Sequence, residues 1–271
     1  MPRPEKSARL DEKAGRSAGR TVLRRYLATS SPAFLTGAVD NSELGNGEME
    51  LLLLNRQAPA QLLQQVGDDR RWVRYYRVRR ALALHPRCPV ALAREQVLHL
   101  YWRELLEVST ASHVHPLVRR LAERSLLDRL DGLPLGARVD VARRAGRGLV
   151  EPLCRSVEKP VLQALLGNPR LVECDVVSIA GGATAPTGLL EQLGQNPRWG
   201  RRRDVRLALA GNDRTPRATA LGLTREMASS ELRALSGDPR APTLVRVAAA
   251  RRLERRRPGA VPSGAREGNH A

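Results

Sequence analysis

Short apolar stripes at helical spacing recur along the chain, each closed by the same punctuation. Val78-Arg79-Arg80-Ala81-Leu82 precedes His85-Pro86-Arg87-Cys88-Pro89. Val161-Leu162-Gln163-Ala164-Leu165 precedes Asn168-Pro169-Arg170, and Val205-Arg206-Leu207-Ala208-Leu209 precedes Asn212-Asp213-Arg214-Thr215-Pro216. Val, Ala and Leu at i, i+3 and i+4 give a short helix one buried face. Asn tolerates the left-handed backbone that closes a helix. The Pro that follows lacks an N–H and suits the first turn of the next helix. A unit this small cannot bury its own face, so neighbours must stack. The pattern predicts a run of short helices from Glu48–Leu54 to Leu244–Arg256, including Pro59–Val66, Trp72–Leu84 and Pro186–Leu193.

A larger repeat contains the small one. APAQLLQQVGDDRRWVRYYRVRRALALHPRCP (58–89) aligns without a gap on APTGLLEQLGQNPRWGRRRDVRLALAGNDRTP (185–216), an offset of 127 residues. Between 55–129 and 182–256, 28 of 75 positions are identical by direct count. Self-similarity at a fixed offset is the mark of a repeat architecture. Residues 1–46 read as a basic, largely disordered arm, because 1–20 are charged and poor in apolar residues. Residues 47–257 read as the helical array, with degenerate repeats joining its two related halves. Residues 258–271 read as a disordered tail.

The run of Asn-Pro or Asp-Pro, Leu-Leu, Val-Arg and Ala-Leu over roughly 50–256 resembles the leucine-rich repeat variant family, a relative of the HEAT-like solenoids. The resemblance implies an all-α, right-handed α-solenoid of short helices and implies no enzyme activity. Some relatives carry an iron–sulfur domain with clustered cysteines. Cys88, Cys154 and Cys174 form no such cluster, so no cofactor is carried over. They also lack zinc-type spacing.

Arginine supplies almost all of the positive charge, and the formal net charge is +18. Arg71, Arg74, Arg77 and Arg80 lie in one predicted helix and its approach, and Arg198, Arg201 and Arg202 lie in the matching stretch. Arg119 and Arg120 have a counterpart in Arg246. Stacked repeats align equivalent positions, so these arginines are expected to form a stripe that attracts phosphates or an acidic protein surface. The alternative is ordinary solvated helix charge. Trp72 and Trp199 occupy matching positions, either packed between repeats or exposed to stack a base. Tyr75, Tyr76 and Trp102 have no aromatic counterpart.

Three functions follow as expectations. The first is a non-catalytic scaffold for an acidic protein partner. The second is a nucleic-acid-binding solenoid. The third is a HEAT-like base-excision enzyme, for which Asp128 or Asp131 near Trp102 are the loose candidates. Neither a phosphate-cradling glycine loop nor a nucleophile motif occurs. His113 and His115 are two residues apart, a poor spacing for metal on a helix. No apolar run is long enough to span a bilayer, so no membrane is expected. The arginine-rich composition suggests a bacterial source, and a cytoplasmic setting is expected by default.

Overall fold

Nineteen α-helices and one 3₁₀ turn, with no strand, make up the described residues, 4–256, of the computed structural model; side chains are described from residue 11 onward. The chain divides into two compact units at Leu133/Pro134. The expected tail lies outside the described residues.

The first unit holds α1 (Pro4–Ser17), α2 (Arg20–Tyr26), α3 (Pro32–Val39), α4 (Asn46–Leu54), α5 (Ala60–Asp68), α6 (Arg70–Val73), α7 (Tyr76–Leu84), α8 (Val90–Val97), α9 (Trp102–Thr110) and α10 (Pro116–Leu127). The 3₁₀ turn Leu130–Gly132 closes it. The second unit holds α11 (Leu135–Arg144), α12 (Arg147–Cys154), α13 (Lys159–Leu166), α14 (Glu173–Gly181), α15 (Thr187–Gln195), α16 (Arg203–Gly211), α17 (Arg217–Glu226), α18 (Ser229–Gly237) and α19 (Thr243–Arg255).

Helices stack on their next-but-one neighbours, which makes two layers in each unit. In the first unit α2, α4, α7 and α9 follow one another in one layer, while α1, α3 and α5, and then α8 and α10, pair in the other. In the second unit α14, α16 and α18 form one layer, and α11, α13, α15, α17 and α19 the other. The core between layers is Leu, Val and Ala, including Leu63, Leu82, Leu105, Leu189 and Leu209.

The recurring asparagine closes helices by a mechanism other than the one expected. Asn55 and Asn212 have extended backbones, with φ of −75° and −90°. They are retained for their side chains. Asn55 Nδ2 donates to the carbonyls of Leu27 and Ser30, both at 3.0 Å. Asn212 Nδ2 donates to Ala180 O and Gly182 O. Asn41 clamps Gly15 O and Ala18 O, and Asn168 clamps Ala142 O and Ala145 O. The side-chain oxygen of each then accepts the backbone N–H two residues on. Each asparagine therefore satisfies carbonyls left orphaned at the end of an earlier helix. Proline sits one residue before the expected first turn, as the N-cap, at Pro59, Pro89, Pro186 and Pro216.

The bounds of α3, α4, α5, α7 and α9 recur 127 residues later in α13, α14, α15, α16 and α18. Hydrogen bonds recur at the same offset. Asn41 and Asn168 grip corresponding carbonyls. Arg20 meets Glu48 where Arg147 meets Asp175. Arg129 Nη1 donates to Leu100 O at 2.7 Å, and Arg256 Nη1 to Met227 O at 2.7 Å.

This corrects the reading of residues 1–46 as a disordered arm. Within the described residues they form α1, α2 and α3, and they correspond to α11, α12 and α13. Apolar content was a poor guide because α1 and α3 meet backbone to backbone. A Cβ at Gly15 would strike Phe34 O, and one at Gly37 would strike Glu12 O. Two glycines let these helices touch without large side chains, at a cost in helix propensity.

Candidate interaction surface

Several arginines pair with acids of other helices inside the chain. In the first unit Arg20 and Arg24 of α2 bind Glu48 of α4, at 3.0 and 2.6 Å. Glu50 of α4 meets Arg77 of α7, and Arg80 of α7 meets Glu107 of α9. In the second unit Arg147 pairs with Asp175, Arg202 with Glu173, and Arg206 with Glu231. Basic and acidic helices alternate along this layer. The partners are 24–29 residues apart in sequence, so local charge patterning does not show them. The exposed pairs among them, such as Arg77–Glu50 and Arg80–Glu107, contribute about 0–1 kcal/mol each. Their main effect is on which helix meets which.

The other candidates differ in their surroundings. Arg71 binds Asp69 through its Nε and Nη2, which raises the arginine and lowers the acid in pKa through that hydrogen bond. Arg198 donates to the carbonyls of Asn168 and Leu171 and lies 4.3 Å from the Trp199 ring. Arg119 and Arg246 match each other, and each has a buried Nε without a hydrogen-bond partner. Arg120 and Arg201 are exposed and form no ion pair among the described residues. Trp72 and Trp199 are both buried, so neither presents a face to a base. They pack between helices, and Trp199 Nε1 donates to Leu166 O at 2.8 Å.

A different set of residues forms a coherent surface, at the N-terminal ends of α7 and α9. Tyr75 and Tyr101 are the N-caps of these helices, and Tyr76 and Trp102 are their first residues. The Tyr76 and Tyr101 rings lie 4.9 Å apart at 36°. Tyr76 Oη donates to Glu104 Oε2 at 2.7 Å and accepts Tyr101 N–H at 3.0 Å. Burial, reinforced by Glu104, pushes the Tyr76 phenol up to about 12. Arg103 lies 5.2 Å from the Trp102 ring, and Arg74 lies 4.8 Å from Tyr75 while donating to its hydroxyl. Arg129 grips the carbonyls of Leu98 and Leu100 beside them. Tyr101 is 68 % exposed and Leu98 56 %.

The second unit provides an internal comparison. Leu98, Tyr76, Tyr101 and Trp102 correspond to Arg225, Arg203, Ala228 and Ser229. The helix junction is nevertheless made there. Glu231 itself accepts Ala228 N–H at 2.7 Å, and Arg206 binds Glu231. The second unit closes this junction without aromatic residues. From sequence, the usable signal is their departure from the repeat, noted at Tyr75, Tyr76 and Trp102 and equally present at Leu98 and Tyr101, opposite Arg225 and Ala228.

The acidic residues weighed for base excision are not buried. Asp128 and Asp131 are exposed, at and just after the end of α10. Burial pushes the Cys88 and Cys154 thiols up to about 12, so neither is a thiolate near neutral pH. No group of metal-ligating side chains occurs among the described residues. No described helix is long and apolar enough to cross a membrane. Comparison with known proteins found no matching family model, no similar curated protein and no similar solved structure.

Proposed function

We propose that this chain is an internally duplicated helical-repeat scaffold, of the leucine-rich repeat variant or HEAT-like kind. It binds a protein partner, without catalysis, through the surface formed by Leu98, Tyr101, Tyr76 and Trp102. The observation that carries this reading is the contrast between corresponding junctions: one carries exposed and half-buried aromatic and apolar side chains, and the other is closed by a direct Glu231 cap without them. Tyr, Trp and Arg are the side chains enriched at protein interfaces and at their energetic centres. Arg74, Arg103 and Arg129 border the patch and favour an acidic partner surface.

The test compares the wild-type protein with the variant Tyr76→Arg/Leu98→Arg/Tyr101→Ala/Trp102→Ser, which carries the residues of the second unit. Both are cross-linked in cell extract and the products mapped. The proposal expects a protein cross-linked next to residues 98–103 in wild type and lost in the variant. Equal capture by both sinks it. A parallel titration with duplex and single-stranded DNA addresses the nucleic-acid reading. A protein that neutralises 6–10 phosphates loses roughly 10³–10⁵ in affinity between 50 and 200 mM salt. Tight binding with that slope, removed by charge reversal at Arg120 and Arg201, would replace the protein partner with a nucleic acid.

A further inference from the structure

The second unit contains a cleft of about 320 Å³ lined by Val150, Cys154, Ser178, Ile179, Gly182 and Ala185, with Arg147, Glu151, Arg155 and Asp175 at its borders. The matching positions of the first unit carry bulkier side chains. There Leu23, Leu27 and Leu52 are wholly buried, and Asn55 ties the end of α2 down through Leu27 O and Ser30 O. At the matching positions Val150 replaces Leu23, Cys154 replaces Leu27 and Gly182 replaces Asn55. Two apolar side chains are smaller, and the clamping amide is gone. No described side chain donates to the carbonyls of Cys154 or Val157, the counterparts of Leu27 and Ser30. Gly182 has φ −68° and ψ 133°, an ordinary extended conformation, so the backbone does not demand glycine there. What the site lacks is therefore specific: a branched apolar body and an N–H-donating amide.

The borders set the charge of an occupant. Arg147 is paired with Asp175 at 2.6 Å and Arg155 with Glu151 at 2.7 Å. Each arginine is matched by one acid, so neither a carboxylate nor an ammonium is preferred. We propose that this cleft binds a small uncharged molecule with a branched apolar body and a primary amide, which occupies the space that leucine and asparagine fill in the first unit. Pockets of this kind are mainly apolar, with a few polar groups that fix orientation.

Isovaleramide is the probe, tested by calorimetry or ligand-observed NMR on the full chain. Binding should be present in wild type and about tenfold weaker, or absent, in Gly182→Asn/Cys154→Leu, where the missing groups are restored covalently. Isovalerate and isobutylamine should each bind about tenfold less well than the amide. If the double variant fails to fold, Cys154→Leu alone serves, with the same loss of amide binding expected. No binding of the amide, undiminished binding by the filled variant, or equal binding of the charged analogues would overturn the proposal.

Discussion

Asn168→Ala removes one complete rung of the second unit. Asn168 is fully buried, and its Nδ2 donates to Ala142 O and Ala145 O, both at 3.0 Å. Its Oδ1 accepts Arg170 N–H at 2.9 Å. The net contribution of a hydrogen bond is about 1 kcal/mol, and leaving a buried partner unsatisfied costs about 1–3 kcal/mol. Three bonds are lost and two carbonyls are left without their donor, so the expected loss is about 3–5 kcal/mol. That is a large part of the roughly 5–15 kcal/mol that stabilises a typical domain. Asn196→Ala is the matched control. Asn196 also closes a helix and accepts the N–H groups of Arg198 and Trp199, but it clamps no carbonyl of an earlier helix. Its loss should be about 1 kcal/mol. Urea unfolding followed by far-ultraviolet circular dichroism measures both, with unchanged m-values as the check that the same transition is compared. Equal effects of the two substitutions, or an Asn168→Ala effect under 1 kcal/mol, would refute the clamp.

Three further predictions follow the same reasoning. His85 stands where Asn212 stands; its Nδ1 accepts Arg87 N–H, so its Nε2 carries the proton that reaches Asn55 O at 3.1 Å. Burial lowers its pKa, so the folded state binds fewer protons than the unfolded one. Its contribution is complete above about 6.5, the ordinary histidine value, and falls as pH drops below it; His85→Asn should remove that dependence in thermal melts from pH 7.5 to 5. The hydrogen bond from Arg20, ahead of that from Arg24, lowers Glu48 to about 2. Its contribution is present above the ordinary carboxylate range and lost as pH falls towards 2. Glu48→Gln should cost about 1–2 kcal/mol at pH 7 and flatten the acid limb, less than a fully buried pair because both arginines are more than half exposed. Gly37→Ala should cost at least about 1–3 kcal/mol by forcing α1 from α3, which loss of protection of Asn41 in hydrogen exchange would report.

The all-α class and most helix positions were legible because Val, Ala and Leu recur at helical spacing and Pro marks each restart. Trp72–Leu84 read as one helix but is two, since Arg74 and Tyr75 turn between α6 and α7. A short helix over Thr21–Ala28 was legible and is α2, but α1 and α3 were missed because part of their contact is made by Gly15 and Gly37 rather than by apolar side chains. The internal partners of the arginines were hidden for a related reason. Arg77, Arg80 and Arg202 face acids on neighbouring helices, and such pairings appear only once the layers are stacked. The aromatic patch was half visible: Tyr76 and Trp102 broke the repeat, but nothing local joined them to Leu98 and Tyr101.

The central claim is that these four residues serve a partner and not the fold, and the stability of the four-residue exchange tests it most directly. With Tyr76→Arg, Leu98→Arg, Tyr101→Ala and Trp102→Ser in place, Glu104 is free to cap α9 as Glu231 caps α18. The account predicts a urea midpoint and m-value that place the variant within about 1 kcal/mol of wild type, as for surface changes. A loss of several kcal/mol would show that the aromatic residues hold the first unit together, and would contradict the account.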